Sequence, residues 1–135
     1  MMVWALRDEL RERPSICDQG AAARFLQATI GFRCDELLIV LFVDARRRLI
    51  DHEIIAVGRP DSVDFDQRRI LLRAMGRGAS GIIVAHNHPS GDSTPSRSDI
   101  EVTRRLADLA EVLGITLHDH LVVAGGKTRS AMFGD

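Results

Sequence analysis

The chain has no tyrosine, one tryptophan and five phenylalanines in 135 residues. Trp4 and those phenylalanines are too few to build a platform on which nucleobases stack. Charge of one sign is also lacking: the formal net charge is -1, and neither half of the chain is strongly basic. That argues against a salt-driven grip on nucleic acid as the main business, though it leaves room for a local basic patch. Only two cysteines occur, Cys17 and Cys34, without a CxxC pair. They read as free thiols in a reducing compartment. No basic start followed by an apolar core marks a secretory leader, and no apolar run approaches a membrane span, so a cytoplasmic location is expected. Repeats and low-complexity tracts are missing as well. Lysine is reduced to Lys127 among eighteen basic residues, which fits a coding bias on solvated faces better than a dedicated anion grip.

What is present fits one soluble domain over 1–135, with a helical N-terminal segment to about 33 and a core from about 36 to 125. A chain of this length buries roughly two thirds of its unfolded surface and needs no disulfide. Trp4 to Arg13 is a short charged amphipathic segment stopped by Pro14. Asp18 is placed to cap a helix over 20–30, with Gly31 as its stop. The run Glu36 to Val43 is almost wholly apolar and β-branched, which predicts a strand buried on both faces. Asp44 to Arg48 turns the chain into a second strand, Leu49 to Val57. An acidic loop, Asp61 to Asp66, seeds a helix with Ile70, Leu71, Ala74 and Met75 on one stripe. Gly81 to His86 is a third strand, followed by a turn-rich loop to Pro95. A helix from about 98 to 113 is expected to bury Ile100, Leu106, Leu109, Ala110 and Leu113. Thr116 to Val123 is a fourth strand, and Lys127 to Phe133 adds a short fifth. This alternation predicts an α/β fold, a central mixed β-sheet flanked by helices.

The chemistry concentrates in His86-Asn87-His88-Pro89-Ser90-Gly91, followed by Ser96 and Asp99. Histidines at i and i+2 on an extended chain point to one side. With a carboxylate a dozen residues on, they supply three N/O ligands and leave one position open, the pattern of a catalytic zinc site. Zinc in such a site brings the pKa of bound water to about 7. The span Ser96-x-x-Asp99 also reads as a helix N-cap box, and taken alone that reading is favoured; the two roles coexist, since a cap fixes the first turn that carries Asp99. A base for the water is not singled out by spacing: Glu53, Glu36, Asp51 and Asp92 stand equal. His118 and His120 repeat the H-x-H spacing, but no further ligand lies nearby in sequence, so a structural or cleft-lining role is favoured.

The string His86-Asn87-His88-Pro89-Ser90-Gly91-Asp92-x-x-Pro95-Ser96-x-x-Asp99 resembles the RadC family within the JAMM-motif, MPN/JAB-type metalloproteases. The likeness extends to Leu41-Phe42-Val43-Asp44-Ala45-Arg46, Leu49-Ile50-x-x-Glu53 with Gly58, the span 68–75, and Asp119-His120-Leu121-Val122-Val123. It departs at Arg59, where the family usually has Thr, and at Gln67, where Pro usually precedes Arg68. The helix-hairpin-helix segment often found before this domain is not seen, so the chain reads as the catalytic domain alone. The resemblance implies a three-layer, cytidine-deaminase-like sheet fold and a zinc metallopeptidase or isopeptidase acting on a peptide or protein. It implies that His86, His88 and Asp99 bind Zn2+, that Glu53 is the general base, and that Ser96 holds the water or the developing oxyanion. The alternatives are a DNA-repair or genome-maintenance accessory that acts by binding, and a metal-binding module without turnover. Strong nucleic-acid binding and membrane partners are not expected, and the edge strands offer a route to a homodimer.

Overall fold

The structure is a computed structural model that describes residues 19–58 and 66–133. The expected amphipathic segment at Trp4, the Asp18 cap, Cys17, Arg59 and most of the acidic loop lie outside those residues. The elements run α1 (Gln19–Ile30), β1 (Glu36–Val43), β2 (Leu49–Gly58), α2 (Gln67–Gly76), β3 (Gly81–Asn87), α3 (Arg97–Val112), β4 (Thr116–Ala124) and β5 (Lys127–Ser130). Five strands form one sheet in the order β2-β1-β3-β4-β5. Strands β3 and β4 pair in parallel across α3, and the other neighbours are antiparallel. The mixed α/β sheet expected from the alternation of patterns is therefore present.

Burial follows position in the sheet. Strand β1 lies between β2 and β3 and is buried along its whole length, as its unbroken apolar run predicts. Its alternate residues feed two cores. Leu38, Val40 and Phe42 join Ile82 and Val84 beneath α2 and α3, while Leu37, Ile39 and Leu41 join Ile83, Ala85, Leu121 and Val123 beneath Ala22, Leu26 and Ile30 of α1. The result is helix, sheet, helix. Among the described residues no helix is long and apolar enough to cross a membrane.

The helix α3 departs from the expected apolar stripe. It buries Thr103, Leu106 and Ala110, whereas Ile100, Leu109 and Leu113 stay substantially exposed. The 103/106/110 line, at i, i+3 and i+7, faces the sheet with Ala107 packed beside it, and the broader apolar set outruns it. Met75 at the end of α2 is likewise exposed. Gln67, which stands where the family usually has Pro, donates from Nε2 to the Val102 carbonyl at 3.4 Å and links α2 to α3.

One glycine locks α1 to the sheet. The Gly31 carbonyl accepts from Gly125 N at 2.7 Å, and a Cβ at Gly31 would stand 2.5 Å from Gly125 O and 2.6 Å from Gln27 O. Both obstacles are backbone and cannot rotate away. Gly31→Ala is expected to cost about 1–3 kcal/mol by overpacking, read as a lower denaturant midpoint at an unchanged slope. A midpoint equal to that of the parent would show that the α1 junction is looser than described.

Candidate metal centre

The H-x-H pair sits where β3 leaves the sheet. His86 lies opposite Leu38 in the β1 register and shares the face of Val84, so it points toward α3. It is buried, with 4% of its surface exposed. His88 continues the strand by donating its amide to the Val123 carbonyl at 2.8 Å. The loop beyond folds back on it. Gly91 N donates to the His88 carbonyl at 3.1 Å, with Gly91 at φ 89°, a left-handed conformation that favours glycine. This turn brings the Asp92 carbonyl to 2.9 Å from His88 Nδ1.

Asp99 comes from the first turn of α3. Ser96 is the N-cap: its Oγ accepts from Asp99 N at 2.9 Å, and Asp99 Oδ2 accepts from Ser96 N at 2.8 Å. The capping box is therefore real, and it holds the carboxylate in place. Asp99 Oδ1 lies 3.4 Å from His86 Nε2, and Oδ2 lies 3.7 Å from His88 Nε2. Burial opposes ionisation of Asp99, but hydrogen bonding and charge from His86 and the Ser96 amide prevail, and its carboxyl is held well below the usual range.

The two imidazoles meet through Nε2, at 2.9 Å. His88 Nδ1 faces a backbone carbonyl, which only accepts, so Nδ1 carries the proton and a neutral His88 has its lone pair on Nε2. His86 Nδ1 lies 2.8 Å from Nε2 of His120, a fully buried ring. Burial first, then the neighbouring His86, pushes the His120 pKa down to about 3, so that ring is neutral. Two imidazole Nε2 atoms and a carboxylate thus converge within 3.7 Å of one another. Acceptors at that range repel unless a proton or a metal cation stands among them. The donor set, imidazole and carboxylate, suits zinc.

A second carboxylate approaches from β1. Glu36 is buried, and one of its oxygens lies within 4.8 Å of ligand nitrogens on both His86 and His88. Its placement follows from pairing, because it shares a face with Leu38, which lies opposite His86. Asn87, between the two histidines, fixes the segment that carries it. Asn87 Oδ1 accepts from Leu37 N at 2.6 Å, and Nδ2 donates to the Asp35 carbonyl at 2.7 Å. The same tripeptide therefore supplies two imidazoles and the clamp on the acid.

Glu53, which the family offset marks as the base, is not brought to this cluster. It pairs with Val40 on β2, two strands from β3, where Arg77 holds Oε1 at 2.6 Å and Arg73 lies 3.5 Å from Oε2. Arg77 also binds Asp51 at 3.0 Å and stacks over the Phe42 ring at 4.5 Å from its centroid. Those contacts make Glu53 part of an ion-pair group under α2, and Glu36 takes its place beside the histidines. His118 and His120 do not form a second site. A register shift opposite Ile82 and Ile83 leaves His118 as an extra, bulged residue. The bulge ends the alternation, so His118 lies against Gly81 while His120 turns to His86.

Comparison with known proteins agrees with these features. The RadC-like JAB domain family matches residues 16–133. A UPF0758 protein of Burkholderia mallei (strain SAVP1) is 41% identical over 126 residues, covering 93% of this chain and 45% of the relative. A UPF0758 protein of Burkholderia thailandensis is 40% identical over 126 residues, covering 93% of the chain and 48% of the relative. A UPF0758 protein of Rhodobacter capsulatus is 39% identical over 124 residues, covering 92% and 58%. The chain spans about half the length of the curated relatives it matches. On the strength of that match, the chain belongs to the RadC-like JAB domain family.

Proposed function

We propose that the domain is a zinc-dependent metallopeptidase or isopeptidase that hydrolyses an amide bond of a peptide or protein. The observation that carries this reading is the convergence of two imidazole Nε2 atoms and the Asp99 carboxylate, a donor set that suits a metal cation. His86, His88 and Asp99 would hold the ion. Zinc, when bound with an open position, lowers the pKa of a coordinated water to about 7 and polarises a carbonyl oxygen.

The residues divide the remaining work. Glu36, buried beside the imidazoles, takes the proton of the attacking water and passes it to the leaving amine. Ser96 accepts from the Asp99 amide and keeps its own hydroxyl proton, which it donates to the oxygen that gains charge as the carbonyl carbon becomes tetrahedral. Asn87 holds Glu36 at its station through the backbone on both sides of it. Asp99 remains ionised across the neutral range because its amide and imidazole partners favour the charged form.

The test joins a metal analysis to a cleavage screen. The purified protein is expected to carry about one zinc per chain and to cut members of a broad peptide library, including lysine side-chain amides. His88→Ala removes one of three ligands and is expected to strip the zinc and the cleavage together. Full zinc content in His88→Ala would refute the ligand assignment, and zinc without any cleavage would leave a binding module.

A further inference from the structure

Behind His86 runs a chain of hydrogen bonds that returns to the helix turn bearing Asp99. Thr103 Oγ1 lies 2.5 Å from the Asp99 carbonyl and 2.5 Å from His120 Nδ1. His120 Nε2 lies 2.8 Å from His86 Nδ1. Thr103 is 1% exposed and His120 fully buried, so water does not complete these bonds.

The direction of every proton in the chain follows from its end. A carbonyl oxygen only accepts, so the single hydroxyl proton of Thr103 goes to the Asp99 carbonyl. Thr103 Oγ1 must then accept from His120, which places the His120 proton on Nδ1. His120 Nε2 is left as an acceptor, and His86 Nδ1 must donate to it. A neutral His86 then has its lone pair on Nε2, the nitrogen that faces His88 and Asp99. With the buried His120 neutral, reversing any one bond brings two acceptors together at 2.5 or 2.8 Å, or two protons.

We propose that Thr103 and His120 are positioning residues that fix the tautomer of His86, using the main-chain carbonyl of Asp99 as the fixed end. Helix α3 thereby serves the site twice: the Asp99 side chain faces the imidazole pair, and its carbonyl sets the proton on the ring opposite. His88 is fixed more simply, by one carbonyl of the loop. The inference rests on the metal reading for its consequence, and on hydrogen-bond direction around a buried, neutral His120 for its content. Outer partners of this kind change metal affinity by about 10–100-fold when removed.

Two measurements test it. In 15N-detected spectra of the metal-free protein, His120 is expected to carry its proton on Nδ1 and to be bare on Nε2; the opposite tautomer overturns the proposal. In a competition titration with a zinc-binding dye, Thr103→Val is expected to weaken zinc binding by about 10–100-fold, while Thr103→Ser, which keeps the hydroxyl, stays within about threefold of the parent. Equal affinity in Thr103→Val and the parent, or an equal loss in Thr103→Ser, overturns it as well. A parent protein that takes up no zinc defeats the metal reading instead, and the His120 tautomer then decides the proposal by itself.

Discussion

Glu36→Gln is expected to reduce amide hydrolysis by about 10²–10⁴-fold, the usual contribution of a positioned general base, with zinc content unchanged. The substitution keeps size and hydrogen bonding but removes the ability to take a proton. Glu36 is the carboxylate that β1 places beside both histidines, and it does so from a buried position where few other groups can substitute for it. Glu53→Gln is the matched control. Its carboxylate is engaged by Arg77 and Arg73, and it lies on β2 rather than at the end of β3. Turnover there is expected to stay within a few-fold of the parent, with a stability loss of about 1 kcal/mol or less for a partly exposed ion pair. Single-turnover cleavage with zinc supplied separates the two. A silent Glu36→Gln together with an inactive Glu53→Gln would return the base to Glu53, and zinc lost from Glu36→Gln would make Glu36 a ligand.

The largest effect on stability is expected at Phe42. This ring is wholly buried near the end of the interior strand β1, on the face covered by α2 and α3, and it is the largest of the fully buried side chains. Phe42→Ala leaves a cavity that rigid neighbours such as Val40 and Ile82 fill only in part. The cost should be about 3–5 kcal/mol. Against a total stability of about 5–15 kcal/mol for a domain, that is a large share. A further consequence is local. Arg77 stacks on this ring while binding Asp51 and Glu53, so the ion-pair group under α2 loses its platform. Equilibrium denaturation should show the loss, and a change below about 1 kcal/mol would mean that the core collapses around the missing ring.

The elements were legible because their signals are local. The unbroken apolar run of β1, the glycines after α2 and the turn residues between His88 and Pro95 each act within a few residues. The capping box at Ser96 and Asp99 is local too, and it stands as the spacing implies. The acid at the histidines was not legible in this way. Glu36 opens an apolar strand and by spacing stands level with Glu53, Asp51 and Asp92, and it meets His86 and His88 only because β1 lies next to β3 with Leu38 opposite His86. Strand order and register are long-range outcomes that spacing does not carry. One signal was available: Glu36 is in phase with Leu38 and Val40, the side of β1 that faces α3. His120 was hidden for a different reason. A bulge at His118 breaks the period of two, and no residue in the sequence announces it.

The central claim is that His86, His88 and Asp99 surround one metal ion. The most direct measurement is a crystal structure of the zinc-treated protein with anomalous data collected on both sides of the zinc edge. A single strong peak among His86 Nε2, His88 Nε2 and the Asp99 carboxylate is the predicted result. A map without a peak there, with the two imidazoles still in contact, would contradict the account.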